Sequence, residues 1–203
     1  LFAFITPIRM PYSANTTTLI AKNLNPSLSH PFGTYDLVRD LMVRVAIALR
    51  LSIIVGMLAA FIDTFIGIIW GMVSAITPKK IGSLMMSFAD VLYSIPYLLV
   101  VLLLSVVVGQ GFTPIFLAMV LVGWVQMARI VHGQTLSILH SEYVLSAKII
   151  GVPISSILLH HIFPNSLGPI LAASVLSIPQ AIFSEAFLSF LGIGIQPPEA
   201  SLG

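Results

Sequence analysis

Of the 203 residues, 58% are hydrophobic and 8% charged, and the mean hydropathy is +1.06; soluble domains carry roughly 25% charged residues, so the composition belongs to a membrane protein. The net charge of +2 rests on nine Lys/Arg against seven Asp/Glu, scattered without a basic stripe, which excludes a nucleic-acid surface. Cysteine is absent, which excludes disulfides, thiolate metal sites and thiol nucleophiles.

In chain order, Leu1 to Ile8 is too short for a signal peptide and reads as the end of a preceding span in a longer protein. Asp36, Asp40 and Arg44 then recur at i, i+4 and i+8 on one helical face, with Leu37, Leu41, Val45 and Ala48 on another. Two readings fit: an amphipathic helix at the membrane surface, or an N-terminal extension of the first span.

Four long apolar stretches follow. The first, Ile47 to Ile76, is broken only by Arg50 and Asp63 and closed by Pro78-Lys79-Lys80. As a helix it reaches about 45 Å against a hydrocarbon core of ~30 Å, so it tilts or projects. The second, Val91 to Val108, has Pro96 near its start and ends at Gly109-Gln110-Gly111. The third opens at Pro114 and continues to about Val131, which makes the second and third antiparallel neighbours. The fourth, Leu167 to Ile195, contains Pro169, Pro179 and Glu185. Its prolines free backbone carbonyls that lipid cannot satisfy, which predicts packing inside a bundle. The fold class is an all-α polytopic membrane protein.

Residues 132–166, between the third and fourth stretches, are too polar to span and too apolar for a solvated loop. Ser141 can N-cap a short helix starting at Glu142, whose charge suits a helix N-terminus. Gly151 fits the left-handed position after that helix, Pro153 the first turn of a second, and Pro164-Asn165 its end. Two short helices at a glycine elbow would present Tyr143, Val144, Leu145, Ile149, Ile150 and Val152 to a protein partner. Interfacial helices resting on lipid headgroups are the alternative.

Asp63 lies deep in the first stretch, where a charge costs at least about 2.5–3.5 kcal/mol. It either faces a pathway or anchors the helix by hydrogen bonding toward Thr64 or another helix. Asp90 falls near a membrane edge, where capping or hydration suffices, and Glu185 is placed to line an exit or pin the loop carrying Pro197-Pro198. His160 and His161 diverge by about 100° on a helix, so no metal site is predicted. No P-loop is present, and no catalytic residue is expected. Arg9, Lys22, Arg39, Arg44 and Arg50 lie on one side of the membrane against Lys79, Lys80, Arg129 and Lys148 on the other, so charge bias leaves orientation undecided.

Several stretches together carry a family resemblance: His30-Pro31-Phe32-Gly33-Thr34 with Arg39-Asp40 and Arg44, Asp90 to Val100, Glu142 to Asn165, and Glu185 to Gly203. They resemble the second type of permease subunit in bacterial ABC importers of the peptide/nickel family, most like the oligopeptide permeases of Gram-positive bacteria. The resemblance implies a permease bundle of about six spans, with four complete spans in this sequence. It implies that residues 1–46 are the end of a preceding span plus an extracytoplasmic segment with the amphipathic helix. Residues 47–203 would form the transmembrane domain, with a cytoplasmic coupling loop at 132–166. There it implies an ATPase-coupling segment of Glu142, Tyr143, Val144, Leu145, Ser146, Ala147, Lys148, Gly151, Val152, Pro153 and Pro164, with Leu145 standing where the general motif has a glutamate. The partners implied are a homologous second permease subunit, two ATPase subunits holding ATP and Mg, an extracellular solute-binding protein and the lipid bilayer. This chain would carry no cofactor and bind no nucleic acid. The implied function is import of oligopeptides across the bacterial cell membrane; dipeptides, nickel or another small solute fit the same architecture. A secondary transporter or channel subunit is the alternative of a different class, for which neither an inverted repeat nor a filter sequence is evident.

Overall fold

The computed structural model describes residues 41–194, together with Ala3, Phe32 and Gly33. Among these residues there is helix and turn but no strand. Helix α1, Leu41–Ile76, runs unbroken for 36 residues, so residues 41–46 extend the first span. Asp36, Leu37 and Asp40 fall outside the described residues.

α2, Lys79–Ser94, turns back from α1, and α3, Tyr97–Val108, continues at an angle. The expected second span is therefore broken: the two helices are bent by 78°. The cause is Pro96. A residue before proline is excluded from the α region, and Ile95 accordingly sits at φ −75°, ψ 124°. The turn at Gly109 and Gly111, with φ of 97° and 126°, suits glycine and leads into α4, Phe112–Val122. Gly123 keeps helical angles, so α5, Trp124–Leu139, continues the same span past the expected limit at Val131. α3 and α4 pack as antiparallel neighbours.

α6, Glu142–Ile149, is the short helix expected after Ser141. Ser141 occupies the N-cap, yet its hydroxyl donates back to the Ile138 carbonyl at 2.6 Å and caps nothing ahead. α7, Ile154–Ile157, passes through a π-helical turn, Leu158–Ile162, into α8, Phe163–Phe190. These form one continuous helix, so Pro164 does not end the second short helix. The Phe163 N–H donates to the Leu158 carbonyl, five residues back, and this widened turn accommodates the proline that would break an α ladder. Among the described residues three helices are long and apolar enough to cross a membrane, or four if the bent α2–α3 pair counts as one span.

α1 is the central helix, touching α2, α4, α5 and α8. It packs closest on α5 because it offers glycine there. A Cβ on Gly67 would lie 2.5 Å from the Met127 Cβ, and one on Gly71 would lie 2.6 Å from the Ala128 carbonyl oxygen. Small residues four apart let two backbones approach where lipid supplies no hydrophobic drive for helix association. One turn on, the Ser74 hydroxyl and His132 Nδ1 hydrogen bond at 2.7 Å across the same seam. Trp70 lies between Phe88 and Trp124, with tilted rings at 5.9 and 5.0 Å, and ties α2 to this pair. α8 departs from expectation: Pro169 and Pro179 are both exposed, so its prolines are not enclosed by this chain's own helices.

Candidate functional site

Two features stand out: a cavity among the spans and a folded arm at one end of them. The cavity has a volume of about 540 Å³, within the range of small-molecule sites. Its walls come from α1, the α2–α3 break, the α4–α5 junction and α8. The break contributes Tyr93, Ile95, Pro96 and Tyr97, so the 78° bend that spoils a straight span also opens the space. α8 contributes Ser177, Gln180 and Ser184 at i, i+3 and i+7, a polar stripe on an otherwise apolar helix. Gln126 adds an amide from α5. The spacing of the α8 stripe is itself legible in the sequence, whereas its pairing with Gln126 needs the fold.

Asp63 is the one charged residue lining the cavity among the described residues. Its Oδ1 is buried and has no hydrogen-bond partner. An anchor toward Thr64 is not formed, because Thr64 bonds Ser174 of α8 at 2.8 Å instead. The carboxylate lies against Gly123, where a Cβ would overlap both of its oxygens. Gly123 is thus needed for space rather than for an unusual backbone, since its φ and ψ are helical.

The other intramembrane acids do not line this cavity. Asp90 accepts from Arg129 Nε at 3.0 Å and Nη2 at 2.6 Å, and the same guanidinium lies 4.5 Å over the Tyr93 ring. It is an ion-pair partner and not a helix cap. Glu185 is fully buried between α1 and α8. It accepts from Ser52 at 3.3 Å and Ser189 at 2.8 Å, which fastens the end of α8 beside the turn at Gly192. It does not line an exit, and the loop carrying Pro197-Pro198 lies outside the described residues.

The arm is α6 and the elbow after it. Gly151 has φ +85°. Val152 N–H donates to the Ala147 carbonyl at 3.0 Å and Gly151 N–H to the Lys148 carbonyl at 3.1 Å. This pair of bonds is a Schellman cap, which requires a left-handed residue at Gly151. Pro153 sits at the N-cap of α7, one residue earlier than expected. Val144 and Ala147 turn inward onto Leu139, Ile157 and Ile162, with Met72 and Ile76 of α1 at the edge. Val144 is therefore core and not a partner-facing residue. Tyr143, Leu145, Ile149 and Ile150 do face outward, the last two 85% and 80% exposed. Glu142, Ser146, Lys148 and Pro164 are exposed as well, and Val152 is half-buried.

At Gly151 a Cβ would meet nothing within 4 Å, so Gly151→Ala carries only the left-handed backbone cost, about 1–2 kcal/mol. Tryptic cleavage at the exposed Lys148 should rise roughly tenfold. An unchanged rate would mean that the elbow does not hold the arm.

No group of three or more His, Asp or Glu among the described residues is arranged to hold a metal. His132 bonds Ser74, His140 the Leu136 carbonyl, His160 the Ser156 carbonyl, and His161 lies by the Tyr143 ring.

Residues 64–203 match the family model described as binding-protein-dependent transport system inner membrane component. The chain is 44% identical over 203 residues to the oligopeptide transport system permease protein OppC of Bacillus subtilis, covering 100% of this chain and 67% of that protein. It is 46% identical over 201 residues to the dipeptide transport system permease protein DppC of the same organism, covering 99% and 63%. Against OppC of Escherichia coli K12 it is 39% identical over 205 residues, covering 100% and 68%. The chain spans about two thirds of the length of these curated relatives. The chain belongs to the family of binding-protein-dependent transport system inner membrane components.

Proposed function

We propose that this chain is a permease subunit of an ATP-driven importer that passes peptides through the cavity beside Asp63, with α6 receiving movement from an ATPase. Oligopeptides are the first choice of substrate, since relatives of that name span the whole chain. Dipeptides are the second reading, favoured by a relative at 46% identity named for dipeptide transport. The family name supports dependence on a solute-binding protein, and the arrangement proposed adds a homologous permease subunit and two ATPase subunits. Those ATPases would bind ATP and Mg, and this chain would hold no cofactor and perform no chemistry. The arm then lies on the cytoplasmic side and the Gly109–Gly111 turn faces outward.

The observation that carries the coupling role is the two-sided packing of α6. Its inner face joins the ends of α1, α5 and α7, and the outer face leaves Ile149 and Ile150 bare. α1, α5 and the α7–α8 helix also line the cavity. A push on α6 is therefore passed through packed side chains to the walls around Asp63, as close packing demands. The departure at Leu145 fits: it is exposed, so its place in the docking face is apolar where a relative would offer a carboxylate.

The test is co-purification of the ATPase subunits with Ile149→Asp/Ile150→Asp. Both side chains are exposed, so the fold tolerates the change, while a fully apolar contact would lose two anchors. Recovery of ATPase should fall at least about tenfold. Undiminished recovery counts against docking on this face.

A further inference from the structure

Asp63 poses a chemical problem that the pathway reading alone leaves open. One carboxylate oxygen is buried without a partner, and no basic residue lines the cavity among the described residues. A carboxylate so placed is costly unless it takes up a proton or meets a cation that arrives from elsewhere. The remaining polar groups are neutral: Gln126 and Gln180 offer amide oxygens, and Ser177 and Ser184 hydroxyls. One charged oxygen acceptor with neutral acceptors around it matches a primary ammonium, which carries three N–H donors and one positive charge. Among the described residues no group of three or more His, Asp or Glu is arranged to hold a metal.

We infer that Asp63 forms an ammonium subsite in the cavity that receives the free N-terminal amine of the translocated peptide. This rests on the peptide-import reading above. It explains how a pathway can grip peptides of differing sequence, because the α-ammonium is shared by all of them while side chains are not. The apolar lining from Met119, Val122 and Ile130 then takes side chains without selecting among them. Gly123 belongs to the same subsite: by leaving room for the carboxylate, it sets where the charge stands.

The test uses the complete transporter in proteoliposomes, driven by ATP. Tetra-alanine and N-acetyl-tetra-alanine are each supplied on saturating loaded binding protein, and maximal uptake rates are compared. Asp63→Asn, a nearly isosteric change, should cut the rate for the free-amine peptide about tenfold and leave the acetylated one unchanged. Asp63→Glu should keep most of the preference for the free amine. Gly123→Ala, which retains the charge but displaces it, should weaken that preference about threefold. The inference is overturned if both rates fall together in Asp63→Asn, or if neither changes. It is also overturned if Asp63→Asn loses the second permease subunit on purification, since Asp63 would then pair with a basic side chain of that subunit. Uptake of neither peptide by the wild type would overturn the peptide reading itself, and this inference with it.

Discussion

Val144→Asp should release the arm from the rest of the molecule. Val144 is fully buried, and its neighbours Leu139, Ala147, Ile157 and Ile162 offer no hydrogen-bonding side chain. Burying an unpaired carboxylate there costs several kcal/mol, roughly 3–5 by comparison with broken buried ion pairs. α6 has only eight residues and is too short to persist without tertiary packing. The least costly relief is local unfolding of α6, with the spans intact. Cleavage by trypsin at Lys148 follows the population of that open state, so a cost of about 3 kcal/mol raises the rate on the order of 100-fold. Leu145→Asp, at the adjacent exposed position, should leave cleavage unchanged. Equal cleavage in the two variants would mean that α6 is not held by its inner face.

Gly71→Ala should force apart the two helices at the centre of the bundle. Its Cβ would lie 2.6 Å from the Ala128 carbonyl oxygen, 2.8 Å from the Val131 Cβ and 2.9 Å from the His132 backbone nitrogen. Two of these atoms are backbone, so no side chain can rotate away and α1 and α5 must separate. The seam beyond is then strained too, because the Ser74 hydroxyl that contacts His132 also donates to the Gly71 carbonyl at 2.9 Å. Overpacking of this kind costs about 1–3 kcal/mol, which corresponds to roughly 2–4 °C of melting temperature per kcal/mol in a protein of this size. Gly133→Ala is the control, since a Cβ there meets nothing within 4 Å and helix propensity improves by about 1 kcal/mol. A Gly71→Ala protein that melts with the wild type would refute the close α1–α5 seam.

The contrast between these sites shows what a sequence can disclose. Local rules carried the helix–glycine elbow well, because the Gly151 backbone depends on its immediate neighbours. They were less successful where two local signals competed. Pro96 stood near the start of an apolar run and was absorbed into a span, although its effect on Ile95 bends the chain by 78°. Pro164 reads as a stop in sequence, while the π turn before it carries the helix through. Residues whose roles depend on distant partners were the least legible. Nothing near Asp63 in sequence announces that it rests on Gly123, sixty positions away. The Gly67 and Gly71 pair is a spacing that sequence alone offers, and the α1–α5 packing gives it meaning. The apolar character of Val144 does not say which side of α6 is covered, and only the packing places it inside.

Coupling through the arm is the central claim, and ATP-driven peptide uptake tests it most directly. Proteoliposomes holding the whole transporter with Ile149→Asp/Ile150→Asp are supplied with loaded binding protein and internal ATP, next to wild type. Uptake should fall at least about tenfold in the variant, with α6 still protected from trypsin at Lys148. Wild-type uptake by a variant whose arm carries two carboxylates on its bare face would contradict it.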